Sequence, residues 1–252
     1  MNDLRIIARL DIKSHNLIKG INLEGLRVIG NPVEYAKKYY ESGIDELLYM
    51  DTVATLYGRN NLHSLINKTA KEIFVPMTVG GGIRSVEDAI NVLRIGADKV
   101  AINTAAVKDP SIIPSLAEKV GSQAIVVSIE AKKQQGFWEV YTDNGREKTG
   151  LDVVKWSQEV VKLGAGEILL TSVDNEGTRK GFDLDLLKIM SNCINVPIIA
   201  SGGLGCPDHA VKAVRETNIN AIAVADYIHY QRGTILELKK ELAKNEIKIR
   251  II

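Results

Sequence analysis

The sequence predicts an α/β protein, a (β/α)8 TIM barrel built from two similar half-barrels. Three observations carry that expectation. Eight short apolar runs alternate with longer stretches of helical periodicity, the pattern of parallel strands linked by covering helices. The chain also repeats itself: "VPMTVGGGIRSVEDAINVLRIGADKVAINTAAV" is echoed by "VPIIASGGLGCPDHAVKAVRETNINAIAVADYI", with Pro76 and Pro197 standing 121 positions apart. Finally, 252 residues with no linker-like break suit one eight-unit barrel. A single domain over 1–252 is expected, with half-barrels of about 1–121 and 122–252.

In order, strands are expected at "RIIARLD" (5–11), "ELLYMD" (46–51), "PMTVGG" (76–81), "KVAINT" (99–104), "AIVVSIE" (124–130), "EILLTSVD" (167–174), "PIIASGG" (197–203) and "AIAVAD" (221–226). Most are apolar throughout, as strands covered on both faces must be. Helices lie between them. Asn31-Pro32-x-Glu34 offers an N-cap, a proline at the first helical position and a capping-box acid. Ser85-x-x-Asp88 and Asp109-Pro110 open two more helices. After the fifth strand, "FWEVYTDNGREKTG" reads as a hairpin with Asn144-Gly145 at its turn.

Composition excludes several classes. With 45% apolar and 25% charged residues the chain reads as an ordinary globular protein, and a net charge of +1 gives no electrostatic case for nucleic acid or an acidic membrane. No apolar run is long enough for a membrane span, and "MNDLRIIARLDIK" is no signal peptide. Cys193 and Cys206 make no disulfide framework, so a cytoplasmic location is expected. His15, His63, His209 and His229 lack metal-ligand spacing, and neither metal nor cofactor is expected.

In such barrels the chemistry gathers at the C-terminal ends of the strands. Asp11, Asp51 and Glu130 end strands one, two and five, and Asp174 and Glu176 follow strand six. Strands one and five stand opposite each other in an eight-membered ring. Asp11 and Glu130 are therefore expected to face each other across an open, watered mouth, a carboxylate pair able to divide acid and base duties. A single acid there would more often cap a helix or meet solvent. The glycines are doubled too: "VGGGIR" follows strand three and "ASGGLG" follows strand seven. Each can bring backbone N–H groups close to an anion, Asn103 and Thr104 could complete the first cradle, and Lys19 could add a cation. Turns need glycine anyway, but two clusters at matching positions point to a ligand with a phosphate at each end.

The motifs "RIIARLDIK", "LIKG", "DELLYMD", "TVGGGIR", "GADKVAINTAA", "GSQAIVVSIEAK", "GAGEILLTSVDNEGT", "PIIASGG" and "ELKKEL" occur in one order over nearly the whole chain. On these the chain resembles the HisF family, cyclase subunits of imidazole glycerol phosphate synthase. The resemblance implies a lyase of histidine biosynthesis that takes ammonia from a glutaminase (HisH-like) partner in a heterodimer. It would close the imidazole ring of imidazole glycerol phosphate on a substrate with two phosphates and release an aminoimidazole carboxamide ribotide. It implies Asp11 and Glu130 as the catalytic carboxylates. Lys19, Asp51, Gly81, Gly82, Asn103, Thr104, Glu176, Gly177, Gly202 and Gly203 would bind substrate and its phosphates. Arg5, Glu46, Lys99 and Glu167 would form an ammonia gate at the barrel bottom, and Asp98 and Gln123 would dock the glutaminase.

This sequence departs from the family pattern at four places. Glu130 and Glu176 stand where aspartate is usual, Arg9 where a small cysteine is usual, and Asp226 where a serine helps the second phosphate. These changes suit a paralogue that passes ammonia to a surface-sugar precursor, the alternative to the histidine-pathway cyclase. A HisA-like sugar-phosphate isomerase and a non-catalytic barrel that only activates a glutaminase fit less well, because the bottom ring and both acids are kept.

Overall fold

Twelve strands and ten helices are found among residues 3–52 and 63–251, the part of the chain that the computed structural model describes. In chain order the strands are β1 (Arg5–Lys13), β2 (Asn16–Ile21), β3 (Glu24–Gly30), β4 (Glu46–Asp51), β5 (Met77–Gly80), β6 (Lys99–Ile102), β7 (Ile125–Lys133), β8 (Trp138–Thr142), β9 (Glu147–Asp152), β10 (Glu167–Ser172), β11 (Ile198–Ser201) and β12 (Ala221–Val224). The helices are α1 (Pro32–Glu41), α2 (His63–Glu72), α3 (Val86–Arg94), α4 (Thr104–Lys108), α5 (Ile112–Val120), α6 (Val153–Leu163), α7 (Leu184–Cys193), α8 (Pro207–Glu216), α9 (Asp226–His229) and α10 (Ile235–Lys244).

Strands β1, β4, β5, β6, β7, β10, β11 and β12 pair in parallel, each with the next, and β12 returns to β1 to close the ring. These are the eight strands expected from sequence. Side chains alternate across each strand. In β1, Ile6, Ala8 and Leu10 face the helices and join the large outer core. Ile7 faces inward and packs with Leu48, Ala101, Val126, Leu169 and Ile199 in a small inner core. That alternation fixes the site: Arg5, Arg9 and Asp11 share the inward side with Ile7.

Local chemistry sets the ends of the elements. Asn31 Oδ1 accepts from the Val33 amide at 2.9 Å, and Ser85 Oγ accepts from the Asp88 amide at 3.1 Å, so these two expected N-caps form. Asp109 instead accepts from the Ser111 amide at 3.0 Å, and α5 starts later than expected, with Ser111 as its N-cap. The reciprocal capping box occurs at Thr234 and Glu237. At the barrel bottom one device recurs three times. The residue just before a strand accepts from an amide at or near the start of a ring neighbour: Asp45 from Ile6 at 2.8 Å, Asp98 from Met77 at 2.7 Å, Asn220 from Ile198 at 3.1 Å. Among the described residues no helix is long and apolar enough to cross a membrane.

Two hairpins rise from the ring. The β8–β9 hairpin was expected; Asp143, Asn144 and Gly145 at its tip all have left-handed φ. The β2–β3 hairpin was not. Its strands show no clean alternation, and most of β3 is exposed, so nothing in its pattern separates it from a loop. Its tip, Asn22-Leu23, is also left-handed. The tips meet above the mouth: Asn144 Nδ2 donates to the Leu23 carbonyl at 3.2 Å, and the Asn22 amide donates to the Glu176 carbonyl at 2.7 Å.

Candidate active site

The inward-facing side chains form layers. Lowest is a ring of four charges. Arg5 bridges Glu46 at 2.6 Å and Glu167 at 2.5 Å, while Lys99 lies 2.7 Å from Glu167 and 3.8 Å from Glu46. The predicted quartet thus comes together, with two cations matched to two carboxylates. Above it lies the apolar inner core, and above that the charged mouth.

Arg9 occupies the mouth and is 2% exposed. Its Nε donates to Asp11 Oδ1 at 2.9 Å, and Nη1 donates to Thr171 Oγ1 at 2.9 Å and Ser201 Oγ at 3.1 Å. Lys19, folded inward from β2, lies 3.7 Å from Asp11 Oδ2 and forms a tight ion pair with Glu176. Arg9, Asp11, Lys19 and Glu176 are therefore a buried chain of alternating charge. Burial alone would raise the Asp11 carboxyl; the Arg9 and Lys19 charges outweigh it and hold Asp11 below the usual aspartate range. Behind β1, His229 Nε2 donates to the Arg9 carbonyl at 3.1 Å and Nδ1 accepts from the Tyr39 hydroxyl at 2.6 Å. That carbonyl lies just past the last β1–β12 register pair, Ala8 with Val224, so the histidine takes the place of a strand partner. Burial and then the Lys19 charge push His229 down to about 3, which keeps it neutral.

Glu130 ends the inward row of β7. It was expected in open water, but it is 5% exposed beneath the joined hairpin tips. Its Oε2 accepts from the Gly145 amide at 2.8 Å. Burial pushes its carboxyl up to about 7; the Gly145 bond and Arg9 pull the other way, and Asp11 adds to the rise. The two carboxylates thus have opposite tendencies within one mouth.

Beside Glu130 is a cavity of about 60 Å³ lined by Arg9, Asp51, Gly81, Gly82, Asn103, Thr104 and Asp143, among others. Asn103 Nδ2 donates to the Tyr141 carbonyl at 3.1 Å, while its buried Oδ1 has no partner among the described residues. Gly81 has φ +88, and a Cβ there would lie 2.2 Å from the Asp51 carbonyl. Glycine is therefore required at Gly81 for packing, whatever binds nearby. The second cradle, around Gly177, Gly202 and Gly203, is a cavity of only about 10 Å³ walled by Glu176 and Asp226. A Cβ on Gly203 would lie 2.0 Å from the Gly181 carbonyl.

Comparison with known proteins gives the family. A family profile described as "Histidine biosynthesis protein" matches residues 5–234. A Legionella pneumophila protein named imidazole glycerol phosphate synthase subunit HisF is 64% identical over 206 residues, covering 81% of this chain and 97% of its own. The protein of the same name from Pyrococcus furiosus is 49% identical over 247 residues, covering 98% of each chain, and one from Bacillus cereus strain G9842 is 46% identical over 248 residues with the same coverage. The chain belongs to the HisF family.

Within this HisF chain the structure unites Asp11, Glu130, Lys19 and Glu176 at the mouth, and Asp51, Gly81, Gly82, Asn103 and Thr104 around the first cavity. Lys19, expected as a free cation for an anionic ligand, is engaged by Glu176 and Asp11. Asp98 and Gln123 lie apart at the bottom and have local partners, the Met77 amide and the Val120 carbonyl. Sequence reasoning missed Tyr39, Thr171, Ser201, His229 and the Gly145 amide. Only Thr171 and Ser201 carried a signal: polar residues two positions beyond Leu169 and Ile199 on the inward side.

Proposed function

We propose that this chain is the cyclase subunit of an imidazole glycerol phosphate synthase, using ammonia from a separate HisH-like glutaminase. Its relatives carry that name. The observation that carries the reading is the carboxylate pair: Asp11 held ionised by Arg9 and Lys19, Glu130 held as a neutral-pH acid by burial. Addition of ammonia to a carbonyl carbon breaks the C=O π bond and puts charge on oxygen, which Glu130 can protonate. The nitrogen then sheds protons, and ionised Asp11 can accept one. The Arg5–Glu46–Lys99–Glu167 ring serves as the gate through which ammonia enters the apolar interior, and the surface around Asp98 and Gln123 docks the glutaminase. The test is turnover of the histidine-pathway substrate with ammonium salt and no partner present. Aminoimidazole carboxamide ribotide should appear; its absence from folded protein would defeat the reading.

A second reading has its own support. Arg9 fills the mouth beside Asp11, and Glu176 with Asp226 makes the second cradle acidic and small. These features favour a family member that delivers ammonia to a different acceptor, such as a surface-sugar precursor.

A further inference from the structure

We propose that the mouth carries a phosphoryl-binding subsite outside the Gly202–Gly203 cradle, formed by Arg27, Arg179 and Arg232 in the cleft between the β2–β3 hairpin, the loop after β10 and the segment after α9. The inference deepens the proposed function and rests on it in taking the ligand to carry a phosphate at that end. The inner cradle cannot take one as it stands. Its volume of about 10 Å³ is room for a single water. Its two charged walls, Glu176 and Asp226, are both carboxylates, and the neighbouring cations are already matched, Lys19 with Glu176 and Asp11, Arg9 with Asp11. A phosphate there would meet two carboxylates whose cations, Lys19 and Arg232, are already engaged with them.

The outer cleft has the opposite character. Its volume is about 570 Å³, and it shares Gly177 and Asp226 with the inner cradle, so the two adjoin. Lys19, Arg27, Arg179 and Arg232 line it against two acids, Glu24 and Asp226. Arg232 is held by Asp226, with Nε 2.7 Å from Oδ1, and packs over the Tyr230 ring at 5.2 Å. That bond uses one edge of the guanidinium and leaves donors for an anion. Asp226, a misfit for a phosphate inside the cradle, becomes the group that orients Arg232 outside it. The guanidinium groups of Arg27 and Arg179 have no carboxylate partner among the described residues. Arg179 moreover has φ 63, a left-handed conformation uncommon for a residue with a Cβ. Two unmatched guanidinium groups lining one cleft from different elements, beside a third held in place, supply donors suited to a phosphoryl dianion.

The probe is inorganic phosphate, titrated calorimetrically into the full chain. Arg27→Gln/Arg179→Gln should weaken one class of phosphate binding at least tenfold and leave binding in the Gly82–Thr104 cavity intact. A control, Lys68→Gln/Lys71→Gln, removes the same charge from the exposed face of α2 and should change binding less than about twofold. In crystals soaked with phosphate, an ion should lie within hydrogen-bond reach of Arg27 and Arg179. Unchanged binding in the double arginine variant, equal weakening by the lysine control, or an ion against Gly203 with the cleft empty would each overturn the proposal. Circular dichroism verifies that the variants, all on exposed residues, remain folded. Failure of the synthase reading is seen separately, as absent turnover with phosphate binding to the arginines retained.

Discussion

Replacing Arg9 by methionine takes the only guanidinium out of the buried charge chain and leaves Asp11 with Lys19 alone, at 3.7 Å. The side chains of Arg9 and Asp11 are 3% and 5% exposed, so water cannot take over the lost pairing. Removing one partner of a buried ion pair costs about 3–5 kcal/mol. In a domain of this size 1 kcal/mol moves Tm by roughly 2–4 °C, so Tm at pH 7 should fall by about 6–20 °C. Asp11 is depressed below its ordinary value of 3.8 in the folded state. Its contribution is therefore fully present above that value and is lost as pH falls through the lower folded one. The gap between wild type and variant should narrow in acid, as far down as the wild type stays folded. Arg9→Lys keeps the charge but not the fork, and should lie between the two. Calorimetric scans across pH read all three proteins. An Arg9→Met protein melting within about 2 °C of wild type at pH 7, or a gap indifferent to acid, would refute the reasoning.

Glu130→Gln should lower ammonia-dependent turnover at least roughly a hundredfold, the scale of a positioned acid or base, and steady-state rates will show it. Its effect on stability has the opposite sign. Glu130 is raised from 4.5 to about 7 in the folded state, so its contribution is complete below 4.5 and lost as pH rises through about 7. At pH 8 the glutamine variant should exceed wild type by up to roughly 3 kcal/mol in urea unfolding, an advantage that disappears near pH 4. Asp98→Lys should weaken glutaminase docking, but it also strips the Met77 amide of its acceptor, so about 1–3 kcal/mol of stability goes with it. Asp98→Asn keeps that acceptor; if it loses the partner while its Tm holds, docking is the role of the charge.

The ring was legible because parallel barrel strands are buried on both faces and read as apolar runs, and because the halves repeat. The carboxylates were legible because Asp11 and Glu130 stand at similar places towards the C-terminal ends of equivalent strands, β1 and β7. Their surroundings were not. Whether Glu130 meets water depends on the β2–β3 and β8–β9 tips touching, a contact between residues more than 100 positions apart that no local pattern encodes. Lys19 looked like a free cation because its partner Glu176 lies 157 positions away. His229 carried no signal, since its task of holding the Arg9 carbonyl arises where β1 and β12 part. At Gly81 and Gly203 backbone approach already demands glycine, so the glycine clusters by themselves do not separate a tight turn from an anion cradle.

Parting of the paired hairpin tips would be linked to proton release. Glu130 lies buried beside the tip of the β8–β9 hairpin, and among the described residues the amide it accepts from, Gly145, belongs to that tip. Parting the tips would hydrate the carboxyl and return it toward an ordinary glutamate, which surrenders its proton near neutrality. Between about pH 4.5 and 7 each closing would then draw up to one proton from solvent and each opening would give it back, so acidification would favour the closed form. The acid would thus be armed only while the chamber is shut. Its strength would be set by a surface loop outside the barrel wall, where changes in sequence could retune it without disturbing a single ring strand.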